Sequence, residues 1–226
     1  QEAVRGGGVP ITAASEVAKL PPEEQRKAVE SGDISEAAKR AKASRDADRK
    51  ALTSSESNEH GTPPEIVEAA RRVLGRIDLD PASSEKFNEN VQADRIFTID
   101  DDGLLQPWHG RVWLNCPYGR DEDYVSNQAN WTQKLHIEHD AGNVTAAVYE
   151  VNSATGAKWY QRSVLQCDAI CLIRGRLNHL HPGTLEPGKS PTHYTTIGYL
   201  GEDVDAFVRE FSIFGKVEFP KRSADL

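Results

Sequence analysis

From residue 61 onward, short apolar runs alternate with segments in which apolar residues recur at helical spacing. The apolar runs predict strands over residues 76–80, 112–114, 144–151, 169–173, 193–200 and 216–219. The segments between them predict helices over residues 62–74, 124–136, 157–165 and 204–214. Strands that alternate with helices are typical of a largely parallel, doubly wound α/β sheet, which binds its ligands at the carboxyl ends of its strands.

Two local patterns give finer expectations for this α/β region. Thr62 and Glu65 stand at capping-box spacing, which predicts that the Thr62 side chain caps the first helix. Cys167 and Cys171 lie an even number of residues apart in an apolar run, so on a strand both would point into one layer. Buried structural thiols are favoured over metal ligands there, because no second Cys/His pair of suitable spacing accompanies them.

Residues 1–52 differ from the rest, because they contain no aromatic residue and are rich in Ala, Glu, Lys and Arg. Helices are predicted over residues 12–20, 21–30 and 34–50. Residues 11–39 faintly resemble the helical segment that follows ParB-like domains, which implies an element that binds DNA or a protein partner. A solvated helical arm is the favoured interpretation. The polar residues 53–60 predict a linker, and residues 61–226 then form the main domain.

Composition excludes some classes of protein. The 226 residues carry a net charge of −8, which supplies no overall attraction to nucleic acid, so a DNA-acting role must rest on a local surface or site. No apolar run approaches the roughly 20 residues of a membrane span, and no signal peptide is visible, so no membrane partner is expected. Three cysteines without framework spacing indicate a reducing compartment, and hence a cytoplasmic location.

The most informative segment is Asn115-Cys116-Pro117-Tyr118, where a strand delivers an Asn directly into a Pro-Tyr turn. Methylation of an aromatic amino group is difficult because the nitrogen lone pair is delocalised into the ring. Fixed acceptors, here the Asn115 side-chain oxygen and the Cys116 carbonyl, would draw the nitrogen toward tetrahedral geometry. Tyr118 would stack on a base flipped out of the duplex, and Pro117 would keep the turn rigid. By itself, the tetrapeptide fits a strand-to-loop turn with a buried Tyr about equally well.

Several motifs in order resemble those of the phage Dam-like DNA N6-adenine methyltransferase family, over roughly residues 58–219. They are Thr62-Pro63, Asp80-Pro81-Ala82-Ser83, Asp101-Asp102-Gly103-Leu104, Trp108, residues 110–119, 151–155 with Trp159, 174–176 and 199–201. The resemblance implies a Rossmann-like methyltransferase sheet and transfer of a methyl group from S-adenosylmethionine to the N6 amino group of adenine in DNA. That family usually has Asn-Pro-Pro-Tyr or Asp-Pro-Pro-Tyr, so Cys116 departs from its pattern.

The resemblance also implies site residues. Thr62 and Pro63 would lie beside the methionine end of S-adenosylmethionine, and the loop Asp80, Pro81, Ala82 and Ser83 would hold its ammonium group. Asp102 and Gly103 would reach its adenine or ribose, although an acidic turn fits them equally. Candidate DNA contacts are Trp159, Arg174 and Arg176. The irregularly spaced His179, His181 and His193 are interpreted as loop residues rather than metal ligands.

Other functions remain open at this point. A nucleophilic Cys116, as in C5-cytosine methylation, is disfavoured because the order is Cys-Pro and no activating partner is near in sequence. The same turn would also grip the N4 amino group of cytosine. Protein glutamine methylation is disfavoured, since no glycine-rich cofactor loop is present. A non-catalytic DNA-binding or adaptor module with the methyltransferase fold is the alternative from a different class.

Overall fold

The computed structural model describes residues 17, 22–32, 34–39, 60–119, 125–182, 184–188 and 193–220. Its contacts divide the chain into two compact units, residues 1–56 and residues 57–226. In the first unit, α1 spans Pro22–Glu30 and has two acids in its first turn, as its predicted start requires. Residues 34–39 are also helical. Most of the helix expected over residues 12–20, the second half of the one over 34–50, and residues 53–59 of the expected linker lie outside the described residues.

The second unit is built on a seven-stranded sheet in the order β2-β1-β3-β4-β6-β5-β7. Its strands are β1 (Leu79–Asp80), β2 (Arg95–Ile96), β3 (Gly110–Asn115), β4 (Val144–Asn152), β5 (Ala169–Ile173), β6 (Thr195–Leu200) and β7 (Gly215–Glu218). Strands β2, β1, β3 and β4 run parallel, whereas β6 is antiparallel to both of its neighbours and β7 is antiparallel to β5. The predicted mixed α/β, Rossmann-like class is confirmed.

The antiparallel half of the sheet was not anticipated. Every residue of β6 is buried, and a fully buried strand shows the same apolar run whichever way it points. Because β6 lies between β4 and β5 and opposes both, β4 and β5 run in the same direction. The carboxyl ends of β1, β3, β4 and β5 therefore meet at one edge of the sheet.

Helices cover both faces of this sheet. They are α2 (Pro64–Leu74), α3 (Glu85–Val91), α4 (Asn127–Asp140), α5 (Lys158–Arg162) and α6 (Val204–Phe211), with a 3-10 turn at Val164–Gln166. One core cluster contains the buried faces of α2 and α6, and the second contains residues of α4 and α5. No helix within the described ranges is both long enough and apolar enough to cross a membrane.

The start of α2 corrects the predicted capping box. The helix is preceded by Pro63, and no side chain caps it. The Thr62 hydroxyl instead donates to Oε2 of Glu150 over 2.7 Å. A cap would need the Thr62 oxygen to accept from a backbone N–H, but this oxygen accepts from Nδ2 of Asn115 instead. In addition, a Pro in the first turn has no N–H that needs a cap. Thr62 therefore belongs to a polar site beyond the helix.

Helix α3 and strand β2 are short elements that the apolar pattern did not indicate. Only Phe87 and Val91 of α3 are buried, which is too few to show a helical period. The start of α3 is marked by a polar N-cap instead, since the Ser84 hydroxyl accepts a hydrogen bond from the Phe87 N–H over 3.2 Å. Strand β2 has only two residues and pairs with the edge of β1.

The cysteine expectation is half wrong. All three cysteines are free and buried, but Cys167 and Cys171 pack into the clusters on opposite faces of the sheet. The even-separation rule holds only within one strand, and β5 begins at Ala169, after Cys167. Cys167 lies against the Tyr149 hydroxyl at 2.6 Å, and Cys171 against the Phe211 carbonyl at 3.5 Å. Both thiols are structural.

Candidate active site at the carboxyl edge of the sheet

A cleft opens where β1 and β3 end. The cleft is narrow and opens to solvent. Its lining residues are His60, Gly61, Thr62, Asp80, Ala82, Phe87, Asn90, Val91, Trp113, Asn115 and Leu180. Residues from the predicted catalytic turn and from both predicted parts of the cofactor site thus share one cleft. Parallel pairing of β1 with β3 causes this, since it places Asp80 and Asn115 at the same edge.

The side-chain amide of Asn115 is fixed by hydrogen bonds from its nitrogen alone. Its Nδ2 donates to the His60 carbonyl over 2.7 Å and to Oγ1 of Thr62 over 3.0 Å. Its Oδ1 is buried and has no hydrogen-bond partner among the described residues. An unmet buried acceptor costs roughly 1–3 kcal/mol, so a donor that reaches this oxygen, from a ligand or from water, would stabilise it.

A buried carboxylate, Glu150 of β4, lies behind Thr62. It is fully buried, and its two oxygens accept from different partners. Oε2 accepts from the Thr62 hydroxyl, and Oε1 contacts Nε2 of His179. Since a carboxylate offers only acceptors, Thr62 gives its proton to Glu150 and uses a lone pair to accept from Asn115. Asn115, Thr62, Glu150 and His179 thus form one connected chain of hydrogen bonds.

Tyr118, in the predicted catalytic turn, contacts this chain of hydrogen bonds at His179. Its hydroxyl is 3.2 Å from Nε2 of His179, and the two rings meet edge-on with centroids 5.8 Å apart. The His60 ring lies 5.9 Å from the Tyr118 ring at a tilt of 57°. Burial, reinforced by the negative charge of Glu150, holds the pKa of Tyr118 well above its usual value. The phenol therefore stays neutral and acts as a ring and a hydrogen-bonding group.

The pKa values of the two histidines are shifted in opposite directions. Burial works to lower the pKa of His179, but the charge and hydrogen bond of Glu150 and the Leu177 backbone outweigh it, and the net pKa is raised. Burial lowers the pKa of His60, and the neighbouring His179 and His181 lower it further. His179 thus favours the imidazolium form as the partner of Glu150, while His60 favours the neutral form.

The start of α4 anchors the predicted catalytic turn. Asn127 Nδ2 donates to the Tyr118 carbonyl over 3.0 Å, and the Asn127 N–H donates to the Gly119 carbonyl over 3.2 Å. Cys116 is 1% exposed and points into the core cluster on that face. Burial raises the pKa of its thiol to about 12, so no thiolate is present at neutral pH. This argues against a nucleophilic role for Cys116, and the role of its backbone carbonyl stays a prediction.

The two predicted cofactor loops touch one another. A Cβ on Gly103 would lie 2.0 Å from the Pro81 carbonyl, so only glycine lets the two loops pack this closely. Asp80 Oδ1 accepts from the Ala82 N–H over 3.2 Å, and the Ser83 hydroxyl is buried with no hydrogen-bond partner in the part of the chain that the structure describes. Asp102 is exposed and accepts from the Leu104 N–H over 3.2 Å.

Not every expected cofactor residue lies in the cleft itself. Thr62, Asp80 and Ala82 line it, whereas its lining does not include Pro63, Pro81, Ser83, Asp102 or Gly103. Close packing against Pro81 accounts for a glycine at position 103, and the local turn in which Asp102 accepts from the Leu104 N–H accounts for an aspartate at position 102. The binding roles of these residues stay predictions.

The expected DNA contacts lie around the same edge of the sheet. Trp159 is half-buried at the start of α5, and its ring meets that of Tyr160 at 5.7 Å. Arg174 and Arg176 are exposed just beyond the carboxyl end of β5. The Arg176 guanidinium lies 4.9 Å over the ring of Tyr194, which is 55% exposed in front of β6. Their roles stay predictions.

Four site residues were missed by sequence reasoning: Glu150, His60, His179 and Asn127. For Glu150 a signal exists, because an acid inside the apolar run 144–151 is anomalous for a buried strand. His179 is in a loop, as interpreted, but it contributes directly to the site. A pair of backbone hydrogen bonds between Gly61 and Leu180 brings that loop to the cleft, and local sequence does not reveal such a pairing.

Comparison with known proteins gives the family. The model of the DNA N-6-adenine-methyltransferase (Dam) family matches residues 50–197, which is more than half of the chain. The chain therefore belongs to this family of DNA methyltransferases. Among solved structures, it is similar to a dimethyladenosine transferase from Plasmodium falciparum, at 10% identity and a TM-score of 0.36. That match covers 66% of each chain, just under two thirds of the transferase. No curated protein matches the sequence.

Proposed function

We propose that the protein transfers a methyl group from S-adenosylmethionine to the N6 amino group of adenine in DNA. The observation that carries the proposal is the buried, unpartnered Oδ1 of Asn115 at the end of β3, beside Tyr118. An acceptor prepared in this way suits a group that brings two N–H donors, as an exocyclic amino group does. Membership in the Dam family supports the same assignment.

The proposed chemistry uses acceptors rather than a base or a nucleophile. Asn115 Oδ1 would accept a hydrogen bond from one amino proton and the Cys116 carbonyl from the other, which localises the nitrogen lone pair for attack. The bond from the methyl group to the cofactor sulfur would break as the bond to nitrogen forms, and the methylated nitrogen would then lose one proton to solvent. Tyr118 offers its ring to a base flipped out of the duplex. Asn127 fixes the turn through the Tyr118 carbonyl, so the acceptors and the ring keep their spacing.

The cleft beside Asn115 fits the proposed cofactor. It combines a buried acid, Asp80, with small Ala82 and the apolar side chains of Phe87, Val91 and Leu180. Asp80 would hold the ammonium group of S-adenosylmethionine, and Thr62 with Pro63 would lie at its methionine end. The loop residues Pro81 and Ser83 and the adjoining Asp102 and Gly103 would shape the wall. When bound, the sulfonium supplies an electrophilic methyl group.

DNA would approach across the same edge. We propose Arg174 and Arg176 as phosphate contacts and Trp159 as a support for the flipped base. Tyr194, stacked beneath Arg176, adds an exposed aromatic ring to this surface. Residues 1–52 would serve as a helical arm or as a further contact to DNA or a partner. A DNA substrate also agrees with the expected cytoplasmic location.

Transfer of a labelled methyl group tests the proposal. The protein is mixed with labelled S-adenosylmethionine and genomic DNA that lacks modified bases, because such DNA offers every short recognition sequence. We expect label in the DNA that increases with time and enzyme concentration. DNA that stays unlabelled, in duplex and single-stranded form alike, would refute the proposal.

The second candidate is a methyltransferase-fold adaptor without catalysis. The departure at Cys116 and the net charge of −8 favour it. Calorimetry with S-adenosylmethionine separates the two, since the enzyme requires binding and the adaptor does not. Methylation of cytosine at N4 would use the same two acceptors, and the identity of the labelled nucleoside distinguishes it from adenine methylation.

A further inference from the structure

We propose that Glu150 is a positioning residue that sets the orientation of the Asn115 amide and of the Tyr118 ring through Thr62 and His179. This inference rests on the proposed function, since it concerns the acceptor that the reaction needs. Glu150 lies behind both partners, on β4, and is fully buried. Its role would be to fix the polarity of the hydrogen bonds that end at the reacting groups.

An Asn amide can present two opposite faces to a substrate. With Oδ1 toward the cleft it accepts from an amino group, but after a 180° flip of the amide it presents an NH2 group that repels one. The two orientations have almost the same shape, so packing does not choose between them. Only the hydrogen-bonding character of the groups on the far side of the amide can choose.

The groups on the far side of Asn115 are both acceptors. The His60 carbonyl accepts by its nature. The Thr62 hydroxyl can donate or accept, but its one proton is already committed to Glu150. Thr62 must then accept from Asn115 Nδ2, and Oδ1 is left facing away from both groups. Glu150 thus makes Thr62 a second acceptor beside the His60 carbonyl, and the two acceptors together fix which face Asn115 offers.

The second oxygen of Glu150 acts on Tyr118. Oε1 contacts Nε2 of His179, and the Tyr118 hydroxyl lies 3.2 Å from the same nitrogen. The edge-on contact between the two rings fixes the plane of Tyr118, which is the ring offered to the flipped base. One carboxylate therefore constrains both the acceptor and the stacking ring.

Stability does not explain why β4 carries an acid here. Its neighbours Tyr149 and Val151 are fully buried, and burying a charged pair gains little or nothing over apolar residues of the same volume. A carboxylate does have a property that no apolar residue shares, because it accepts at both ends and never donates when ionised.

The first test is Glu150→Gln, which keeps the shape of the side chain but gives it a donor. The new side-chain NH2 group can then turn toward Thr62 and release the Thr62 proton to Oδ1 of a flipped Asn115. We expect kcat and kcat/KM for DNA to fall together by roughly 10- to 100-fold, as when a group that orients a reacting ligand is lost. Affinity for S-adenosylmethionine should change much less. Glu210→Gln is the matched control, because Glu210 pairs with Arg72 on the surface of the domain.

The second test compares a Thr62 variant that lacks the hydroxyl with one that keeps it. Thr62→Val has nearly the same shape and no hydroxyl, whereas Thr62→Ser keeps the link to Glu150. We expect the serine variant to be at least about tenfold more active than the valine variant. Thr132→Val controls for the loss of a buried hydroxyl, since Thr132 donates to the Gln128 carbonyl inside α4. Equal rates for the serine and valine variants would overturn the inference.

A readout that does not depend on turnover separates this inference from the proposed function. The side-chain amide protons of Asn115 should exchange slowly with solvent in the parent protein, because both meet acceptors, and faster in the Glu150→Gln variant. Unchanged exchange in a folded Glu150→Gln protein would refute the positioning role even if the parent methylates DNA. Slowed exchange in a parent that never methylates DNA would support the positioning role and refute the proposed function.

Discussion

The two edges of the sheet each carry an acid paired with a cation, and they use it differently. At the amino edge, Asp78 accepts from the N–H and Nε of Arg111 over 2.8 and 3.0 Å, and Arg111 also donates to the Leu74 carbonyl. The Asp78 side chain is 19% exposed. At the carboxyl edge, Glu150 is completely buried, and the chain of bonds that it starts ends at the unpartnered oxygen of Asn115.

The difference shows what distinguishes a site from a structural ion pair. An acid beside a cation occurs at both edges, so the pair alone does not indicate function. At the amino edge the pair ties β3 to the turn before β1, and its acceptors are bonded to the protein. At the carboxyl edge the chain of hydrogen bonds ends at Asn115 Oδ1, a buried acceptor with no partner among the described residues. The unpartnered Oδ1 of Asn115, rather than the ion pair, is therefore the observation that indicates a functional site.

The largest difference between the edges should appear when an asparagine is removed from each. We expect Asn115→Ala to lower kcat for methyl transfer by roughly 10²- to 10³-fold or more, because it removes a fixed acceptor from the reacting group. Asn143→Ala is the matched control at the amino edge, where Asn143 is exposed and donates to Glu138. Single-turnover rates measure both variants. Equal rates would remove Asn115 from the centre of the account.

The next largest effect concerns Tyr118. Tyr118→Ala should reduce kcat/KM for DNA by roughly 5- to 150-fold, since stacking of a base on an aromatic ring is worth about 1–3 kcal/mol. Tyr118→Phe keeps the ring and loses only the contact with His179, so its loss should be smaller. Steady-state kinetics with DNA as the varied substrate distinguish them. If both variants lose the same activity, the hydroxyl rather than the ring is the functional group.

The contributions that His179 and Asp78 make to folding stability, one at each edge, should depend on pH in opposite directions. The pKa of His179 is raised in the folded protein, so its stabilising contribution is complete below the unfolded value of about 6.5 and is lost as pH rises through the raised value. Burial acts to raise the pKa of Asp78, but bonds and charge from Arg111 lower it overall. Its contribution is present above the unfolded value of about 3.9 and is lost as pH falls through the lowered value.

Urea unfolding at a series of pH values measures these contributions. His179→Gln should flatten the loss of stability on the alkaline side and leave the acid side unchanged. Asp78→Asn should flatten the acid side alone. A His179→Gln protein that keeps the parent's alkaline decline would show that the Glu150–His179 pair does not form in solution.

The smallest effect on catalysis is expected at Cys116. In Cys116→Ser the backbone carbonyl remains, so the rate should stay within an order of magnitude of the parent, while the buried hydroxyl costs roughly 1–3 kcal/mol of stability. Cys171→Ser, on the other face of the sheet, should show a similar loss of stability. Complete loss of transfer in Cys116→Ser, with a covalent adduct on DNA in the parent, would establish a nucleophilic thiol instead.

Sequence reasoning succeeded where chemistry is local. The strand before Asn115 and the strand Ala169–Ile173 follow directly from their apolar runs, and the predicted residues Asn115, Thr62 and Asp80 do share a cleft. It failed where a partner comes from far along the chain. Thr62 was expected to cap its own helix, because the local pattern does not show that its hydroxyl bonds Glu150, 88 residues away, and Asn115, 53 residues away.

The missed elements have a related cause. Helix α3 buries only two side chains, and β2 is two residues long, so neither shows a period. His179 gave no sequence signal, since its place depends on the pairing of its loop with Gly61. The acid at position 150 was visible in an apolar strand, and reading it as an anomaly would have found the centre of the hydrogen-bond chain.

The most direct measurement is the identity of the nucleoside that carries the label. DNA methylated by the parent protein and by the Asn115→Ala variant is digested to nucleosides, and the labelled species are separated and identified. We expect N6-methyladenine from the parent and none above background from the variant. Label in cytosine alone, or equal amounts of N6-methyladenine from both proteins, would contradict the account.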